Sequence, residues 1–322
     1  MTRPSSFPIL GLHHVTATVD QAQPDLDFTV GALGLRLVKK TVNFDNHHVY
    51  HFYYGDERGT PGTIWTTFPY HGHGVPPGTK GASQVITTSF SVPVGSLEYW
   101  RTRLTAQGLA SNDLPARFGE VAVAVSDPSG LSFELVAAQD DRRPWLGEGI
   151  DESAAIRGLH SVTLLVLSPT KTVALMTGLL GFSVVDETED CIRLGVNGGG
   201  PGKTVDVRHA PDARLAMNGI GTVHHVAFAI GEASEQLDLR AALLDKGCRV
   251  TEVRDRQYFQ SIYFREPGGV LFEVATVAPG FTVDEDLSQL GSALKLPPWE
   301  EPARRDIERG LPSVHPRGVP AK

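Results

Sequence analysis

The chain has 322 residues, of which 41% are apolar and 20% are charged, and its formal net charge is −8. This length can bury one large core or two domains of ordinary size, and the composition is typical of a water-soluble globular protein. The acidic balance, together with the lack of a long apolar run or a signal-peptide core, leads us to expect no nucleic-acid partner and no membrane association.

Four stretches of the chain follow one plan: a strand, a helix, and further strands with a tight turn before the last. The first stretch opens with an alternating strand at residues 12–19, which contains the pair His13-His14. A helix is predicted at residues 24–32, and a strand at residues 63–68 follows the turn Thr60-Pro61-Gly62. We interpret this order as a βαβββ module.

The second module opens at residue 83, has a helix at residues 96–107 and closes with a strand at residues 131–136. The third opens at Gly158, has a helix at residues 169–180 and closes with a strand at residues 204–208. The fourth repeats the histidine pair as His224-His225 in a strand at residues 222–230. Its helix is predicted at residues 234–246, and its last strand, residues 270–275, carries Glu273.

These modules divide the chain into two predicted halves. Residues 8–138 form the N-terminal half with modules 1 and 2, and residues 157–278 form the C-terminal half with modules 3 and 4. The polar, Pro-bearing residues 139–156 are the predicted linker. Residues 279–322 form a C-terminal extension whose helical patch, at residues 302–308, is expected to pack against the body.

The predicted fold class is α+β, with modules paired into two cupped mixed-sheet barrels, because a module with a one-sided apolar sheet cannot stand alone. Alignment of the opening and closing strands predicts which side chains meet in each possible pair. Modules 1 and 4 would bring together His14, His225, Glu273 and Thr67. Modules 2 and 3 would bring together Gln84, Ser161, Glu134 and Val207.

Only the first set is suited to a metal. Two imidazoles and one carboxylate form the facial triad associated with non-haem Fe(II) and O₂ chemistry, and Mn(II) suits the same ligands. Burial of Glu273 in an apolar strand without a cation or hydrogen bonds would cost several kcal/mol. Pairing of adjacent modules would separate His14 from His225, so we expect the two ends of the chain to meet. Glu134 is expected to be paired or half-exposed rather than to hold a second metal.

The order of elements, the opening GLHHVTA, the second HHVAFAI and the closing PGGVLFEVAT resemble the vicinal oxygen chelate superfamily of glyoxalases, bleomycin-resistance proteins and extradiol dioxygenases. The resemblance covers most of the chain and is most specific to hydroquinone-type ring-cleaving dioxygenases. It implies an Fe(II)-dependent extradiol-type enzyme that uses O₂ to open a hydroquinone or related substituted phenol beside a hydroxylated carbon. A small aromatic substrate and O₂ are then the expected partners, and a homo-oligomer remains open.

The same resemblance implies that His224, Arg256 and Tyr263 bind and activate the phenol. Alternation along the first strand predicts that Thr16 shares the side of His14 and lines the cavity. His13 and His224 would face away in an ideal strand, although a bulge could turn them inward. We expect substrate contacts from His13, Thr16 and Thr67. The remaining histidines of module 1 and the following loop are expected at the surface: His47, His48, His51, His71 and His73.

Two other functions fit the same architecture. A glyoxalase-like isomerase or thiol transferase needs a fourth protein ligand, commonly a carboxylate, and Thr67 at that corner argues against it. A non-catalytic resistance protein that binds an aromatic compound has no need of three ligands. Two cysteines, Cys191 and Cys248, form no Cys-x-x-Cys motif. A disulfide framework is therefore not expected, and the cytoplasm is the expected location.

Overall fold

The computed structural model describes Phe7 and residues 9–315. These residues form sixteen strands and five α-helices, and the first four helices belong to four successive βαβββ modules. Module 1 comprises β1 (Ile9–Val19), α1 (Ala22–Leu26) with a π-helical continuation (Asp27–Ala32), β2 (Arg36–Asn43), β3 (Asn46–Gly55) and β4 (Ile64–Pro69). Module 2 comprises β5 (Gln84–Val92), α2 (Leu97–Ala106), β6 (Ser111–Asp113), β7 (Ala122–Ser126) and β8 (Ser132–Ala137).

The second half of the chain repeats this order. Module 3 comprises β9 (Gly158–Val166), α3 (Thr170–Gly178), β10 (Ser183–Glu187), β11 (Cys191–Gly195) and β12 (Thr204–His209). Module 4 comprises β13 (Thr222–Ile230), α4 (Ala233–Asp245), β14 (Arg254–Asp255), β15 (Gln260–Arg265) and β16 (Leu271–Thr276). The extension ends in α5 (Arg304–Gly310). Among the described helices, none is long and apolar enough to span a bilayer.

The strands form two eight-stranded mixed sheets. The first has the order β14-β15-β16-β13-β1-β4-β3-β2, and the second has the order β10-β11-β12-β9-β5-β8-β7-β6. Modules 1 and 4 therefore share one sheet and modules 2 and 3 share the other, which confirms the predicted pairing. Each opening strand runs parallel to the closing strand of its module, and the opening strands of paired modules run antiparallel. The two strands with histidine pairs, β1 and β13, are thus neighbours.

The internal repeat extends to the backbone contacts between the sheets. The N–H of Leu12 donates to the carbonyl of Gly202 over 2.7 Å, and the N–H of Leu159 donates to the carbonyl of Gly62 over 2.8 Å. This close approach requires glycine at position 11, where φ is +151° and a Cβ would lie 2.6 Å from the Gly202 oxygen. The two sheets are therefore locked to each other by equivalent turns.

An apolar core lies between the sheets and under the helices. Trp65 on β4 packs edge-to-face against Phe133 on β8, with 5.0 Å between ring centroids, so side chains of both sheets meet in this core. Trp65 and Trp100 are both buried.

The C-terminal extension is attached to module 1 through a buried lysine on β2. The ammonium of Lys39 is completely buried and lies 2.6 Å from Asp284 and 2.5 Å from Glu285. Ile307 on α5 is also buried. The helical patch of the extension packs against the body, as expected. Removal of Lys39 would leave Glu285 as an uncompensated buried charge, which is strongly unfavourable.

Asp25 on α1 is a buried carboxylic acid that contacts Thr67 on β4 and Tyr54 on β3. Burial raises the pKa of Asp25 to about 7, although the hydroxyl groups of Thr67 and Tyr54 donate to it over 2.5 Å and 2.7 Å. The unfolded chain loses this proton near pH 4, whereas the folded protein keeps it until about pH 7. The free energy of unfolding therefore falls over this interval as the pH rises.

Replacement of Asp25 by Asn removes this titration. Because each pKa unit corresponds to about 1.4 kcal/mol, the wild type should lose about 2 to 3 kcal/mol relative to Asp25→Asn between pH 5 and pH 8. Urea unfolding of both proteins across this range measures the difference. The exposed Asp212 provides the control variant Asp212→Asn, which shows the effect of the removal of a carboxylate at the surface. A difference between Asp25→Asn and wild type that does not change with pH would contradict the assignment.

Candidate metal centre

Both histidine pairs lie at β-bulges between β1 and β13. On β1 the extra residue is His13, because Leu12 and His14 pair with consecutive residues of β13, and on β13 the extra residue is His224. A bulge allows neighbouring side chains to leave the strict alternation of a strand. The Nδ1 atoms of His13 and His14 lie 2.9 Å apart, and those of His224 and His225 lie 2.8 Å apart. Each candidate ligand is thus held by the imidazole beside it.

The three predicted ligands meet at one point. Nε2 of His14 lies 3.3 Å from Nε2 of His225, and these atoms lie 3.2 Å and 2.8 Å from Oε2 of Glu273. Within the described residues, this is the one group of three or more His, Cys, Asp or Glu side chains with metal-binding spacing. All three side chains are buried.

The atoms available in this cluster fit a metal ion. Oε1 of Glu273 accepts a hydrogen bond from the Ser261 hydroxyl, whereas the buried Oε2 has no hydrogen-bond donor. An imidazole with its proton on Nδ1 directs its Nε2 lone pair toward that oxygen, and a cation between these atoms would make such an arrangement favourable. Three ligands at right angles, each about 2.1 Å from a common centre, are about 3.0 Å apart. The observed separations of 2.8 to 3.3 Å bracket this value.

Burial controls the charges of the cluster. It lowers the pKa of His225, so this imidazole is neutral and free to act as a ligand. Burial alone would raise the pKa of Glu273, but the adjacent imidazoles of His14 and His225 outweigh it and hold the pKa well below its usual range. The cluster therefore offers one carboxylate and two imidazoles, the ligand set of a facial triad.

A cavity of about 210 Å³ opens onto these three residues. An apolar cavity of roughly 150 Å³ accommodates benzene, so this volume suits one aromatic ring with substituents. The wall is largely aromatic, and its ring-bearing side chains besides the histidines are Phe44, Tyr53, Phe68, Tyr70, Phe259 and Tyr263. The polar groups Thr16, His224 and Arg256 line the same cavity. Aromatic walls with a few polar groups are typical of a small-molecule site.

Arg256 and Tyr263 form a pair at one side of the cavity. Nε of Arg256 donates to the Tyr263 hydroxyl over 3.0 Å, and Tyr263 lies directly opposite Glu273 in the β15–β16 pairing. Burial, with the nearby Glu273 carboxylate, raises the pKa of Tyr263, so the phenol stays protonated. Burial alone would lower the pKa of Arg256, but Tyr263 and Asp45 raise it, so the guanidinium stays charged.

The structure corrects the position of Thr67. Its hydroxyl donates to the buried Asp25 on the other face of the sheet, so it does not contact the cavity. Thr66 takes its place, because its hydroxyl donates to Thr16 over 2.9 Å. The turn Pro61-Gly62 before β4 is one residue shorter than the Pro-Gly-Gly turn before β16. The residue of β4 that corresponds to Glu273 is therefore Thr66 rather than Thr67.

Two histidines lie in other places than predicted. His13 does not line the cavity of the candidate ligands; it contacts His14 from behind and borders a separate cleft with Tyr258 and Phe281. His51 was expected at the surface, but it is buried, lines the cavity and lies 2.9 Å from the Thr66 hydroxyl. Its ring packs 4.0 Å from that of Tyr53. The alternation of aromatic residues along β3 was the signal for this burial.

The second sheet has a corresponding set of positions. According to the strand registers, Thr87 corresponds to His225 and Ser161 corresponds to His14. Glu134 corresponds to Glu273, and Asp206 corresponds to Thr66. The predictions of Ser161 and Glu134 are consistent with these registers, whereas Gln84 and Val207 were wrong. Gln84 lies three residues before the true counterpart of His225, because the bulged residue that corresponds to His224 is Ile86. The short Pro201-Gly202 turn shifts Val207 by one residue.

Two arginine side chains form ion pairs with Glu134 and Asp206. Arg117 lies 3.0 Å from Glu134 and 3.4 Å from Asp206. Arg193 donates two hydrogen bonds to Asp206, over 2.8 Å and 2.9 Å. Glu134 is therefore paired, as predicted. Because arginine remains charged at any physiological pH, it neutralises these carboxylates without a metal.

Comparison with known proteins agrees with this architecture. The sequence profile of the glyoxalase/bleomycin resistance protein/dioxygenase superfamily matches residues 158–274. MhqE of Bacillus subtilis (strain 168), provisionally named a ring-cleaving dioxygenase, is 42% identical over 305 residues, which cover 94% of this chain and 99% of MhqE. Chlorohydroquinone/hydroquinone 1,2-dioxygenase of Sphingobium indicum is 37% identical over 312 residues, which cover 94% of this chain and 95% of that enzyme.

A solved structure extends the agreement to three dimensions. The crystal structure of a provisionally named dioxygenase from Bacillus subtilis superposes with a TM-score of 0.93 at 40% identity, and the match covers 98% of this chain and 100% of that chain. With such identity over nearly the full length of these relatives, the chain belongs to the glyoxalase/bleomycin resistance protein/dioxygenase superfamily, the family that its sequence motifs resembled.

Proposed function

We propose that this protein is an Fe(II)-dependent, extradiol-type ring-cleaving dioxygenase. Its substrate would be a hydroquinone or a related substituted phenol, into which both atoms of O₂ are inserted as the ring opens beside a hydroxyl-bearing carbon. The single observation that carries the proposal is the cluster of His14, His225 and Glu273 at the end of an aromatic cavity. The similarity to enzymes named as ring-cleaving and hydroquinone dioxygenases supports the substrate class.

His14, His225 and Glu273 would hold the metal, and Mn(II) suits these ligands as well as Fe(II). When bound, such an ion supplies a Lewis-acid position for the phenolic oxygen and an adjoining open position for O₂. Ser261 holds the other oxygen of the Glu273 carboxylate, so the residue presents a single oxygen to the ion. The neighbouring imidazoles of His13 and His224 fix the orientation of the two histidine ligands.

The walls of the cavity position the ring. Phe68, Phe259 and Tyr53 supply apolar faces against which a flat aromatic substrate can pack. Tyr263 and Arg256 present a protonated phenol and a charged guanidinium to the oxygen atoms that acquire negative charge during the reaction. A water-poor pocket strengthens both interactions.

His224 is the residue suited to move a proton. It lines the cavity and is hydrogen-bonded to His225 through Nδ1, so its other nitrogen is available to a substrate hydroxyl. On the opposite side, Thr16, Thr66 and His51 form a hydrogen-bonded chain whose first member lines the cavity. This chain fixes the Thr16 hydroxyl, which we propose contacts the substrate.

The alternatives are less consistent with the site. A glyoxalase-like isomerase or thiol transferase needs a fourth protein ligand, yet Thr66 is the residue at the fourth corner and it is hydrogen-bonded to Thr16. The other carboxylate that lines the cavity, Asp45, is paired with Arg254 and Arg256. A non-catalytic aromatic-binding protein would not need a buried Glu273 oxygen that lacks a hydrogen-bond donor.

The first prediction concerns the anionic ligand. The purified protein, reconstituted anaerobically with Fe(II), should consume O₂ with hydroquinones, and Glu273→Gln should lose most of its iron and at least about 100-fold in kcat, because the neutral amide is a poor ligand. Iron content by elemental analysis and O₂ uptake measure the two effects.

Glu134→Gln is the matched control for this variant. Glu134 occupies the corresponding position of the second sheet and is buried, but its partner is Arg117. Iron content and kcat should stay near wild type in this variant. Hemithioacetal isomerisation instead of O₂ uptake would favour the glyoxalase-like alternative, and O₂ uptake with catechols alone would retain the chemistry but reject the hydroquinone preference.

A second prediction separates proton transfer from ligand orientation. His224→Phe and His13→Phe each remove the imidazole beside a candidate ligand, but only His224 lines the cavity. Both variants should keep bound iron, and His224→Phe should lose about 100-fold in kcat while His13→Phe loses less than about 10-fold. Steady-state kinetics at matched iron content provides the measurement. Equal losses would show that His224 acts only by orienting His225.

A further inference from the structure

The turn between β2 and β3 forms one rim of the cavity. Asn43, the last residue of β2, and the turn residues Phe44 and Asp45 line the cavity. Asn43 donates to the Tyr70 hydroxyl over 3.0 Å, and Phe44 packs edge-to-face against Trp299 of the extension, with 5.6 Å between ring centroids. The two residues that precede Asp45 are therefore both held in place.

Asp45 forms ion pairs across the mouth of the cavity, from module 1 to module 4. Its Oδ2 accepts from Nη2 of Arg256 over 3.0 Å, and its Oδ1 lies 3.2 Å from Nη1 of Arg254. The Asp45 side chain is 57% exposed, whereas that of Arg256 is only 16% exposed. An exposed carboxylate thus holds a largely buried guanidinium.

The contacts of Arg256 link this rim to the candidate metal centre. The same guanidinium that donates to Asp45 donates through Nε to the Tyr263 hydroxyl over 3.0 Å. Because a guanidinium is planar and rigid, two hydrogen bonds at different nitrogens fix its orientation. The Tyr263 ring in turn packs edge-to-face against His225, with 5.7 Å between ring centroids. A continuous chain of contacts runs from Asp45 to a candidate ligand.

We propose that Asp45 is a positioning residue, which aims Arg256 and, through it, the Tyr263 hydroxyl at the reacting oxygens of the substrate. The inference rests on the proposed function, since it assigns Arg256 and Tyr263 to the phenol. Without Asp45, the guanidinium is free to turn toward solvent, and Tyr263 loses the donor that orients its hydroxyl. The loss should affect the reaction step more than the binding of the ring, which packs against the aromatic walls.

The test uses Asp45→Ala, the conservative variant Asp45→Glu, and Arg254→Gln as matched control, each loaded with Fe(II). Arg254→Gln removes the other ion pair of Asp45 and leaves Arg256 intact. Oxygen uptake with a hydroquinone should show kcat lowered about 10-fold in Asp45→Ala with KM changed less than about 3-fold. Asp45→Glu should recover at least half of the loss, and Arg254→Gln should stay within 2-fold of wild type.

Three results would overturn the proposal: an unchanged kcat in Asp45→Ala, a rise in KM alone, or an equal loss in Arg254→Gln. If the wild type itself shows no oxygen uptake with any phenol, the proposed function is rejected. The positioning role of Asp45 is then tested by crystallography. The crystal structure of Asp45→Ala should then show Arg256 turned away from Tyr263. Retention of the hydrogen bond between them would reject the positioning role.

Discussion

The structure around the candidate site depends on one buried carboxylate. Oε2 of Glu273 lies within 3.2 Å of two imidazole nitrogens and has no hydrogen-bond donor, although its burial would otherwise cost several kcal/mol. A cation between these three atoms would remove that cost. The bulges at His13 and His224, and the hydroxyl of Ser261, all serve to keep the lone pairs of the cluster pointed at one centre.

The two sheets surround a buried glutamate with different partners. Both derive from one modular plan, and both place a glutamate on the closing strand beside the central opening strands. In the first sheet the partners of Glu273 are two imidazoles, side chains that can bind a metal together with the carboxylate. In the second sheet Arg117 and Arg193 neutralise Glu134 and Asp206. Arginine side chains thus occupy the place that a metal ion would take in the first sheet. The result is an ion-pair network instead of a metal site.

Much of this arrangement was predictable from the repeats. The four modules, their pairing and the meeting of His14, His225 and Glu273 followed from matched positions in widely separated strands. The single-residue errors at Thr67 and Val207 arose because two Pro-Gly turns are one residue shorter than their counterparts, a difference that sheet register reveals. Gln84 was misplaced by three residues, because β5 has no histidine pair to mark the bulge, which lies at Ile86.

Other features depend on tertiary structure and had no local signal. The bulges that turn His13 and His224 arise only when β1 pairs with β13, and the cavity position of Asp45 depends on the fold of module 1 against module 4. His51, in contrast, had a local signal in the alternation of aromatic residues along β3, but its place in a cluster with His47 and His48 made it resemble a surface loop; the pairing of β3 with β4 buries it.

Anomalous diffraction from crystals of the Fe(II)-loaded protein, recorded at the iron absorption edge, locates the ion directly. We expect one strong peak, about 2.0 to 2.2 Å from Nε2 of His14, Nε2 of His225 and Oε2 of Glu273. A peak at Glu134 and Asp206 instead, or full iron occupancy at a position that lacks any of the three ligands, would contradict this expectation.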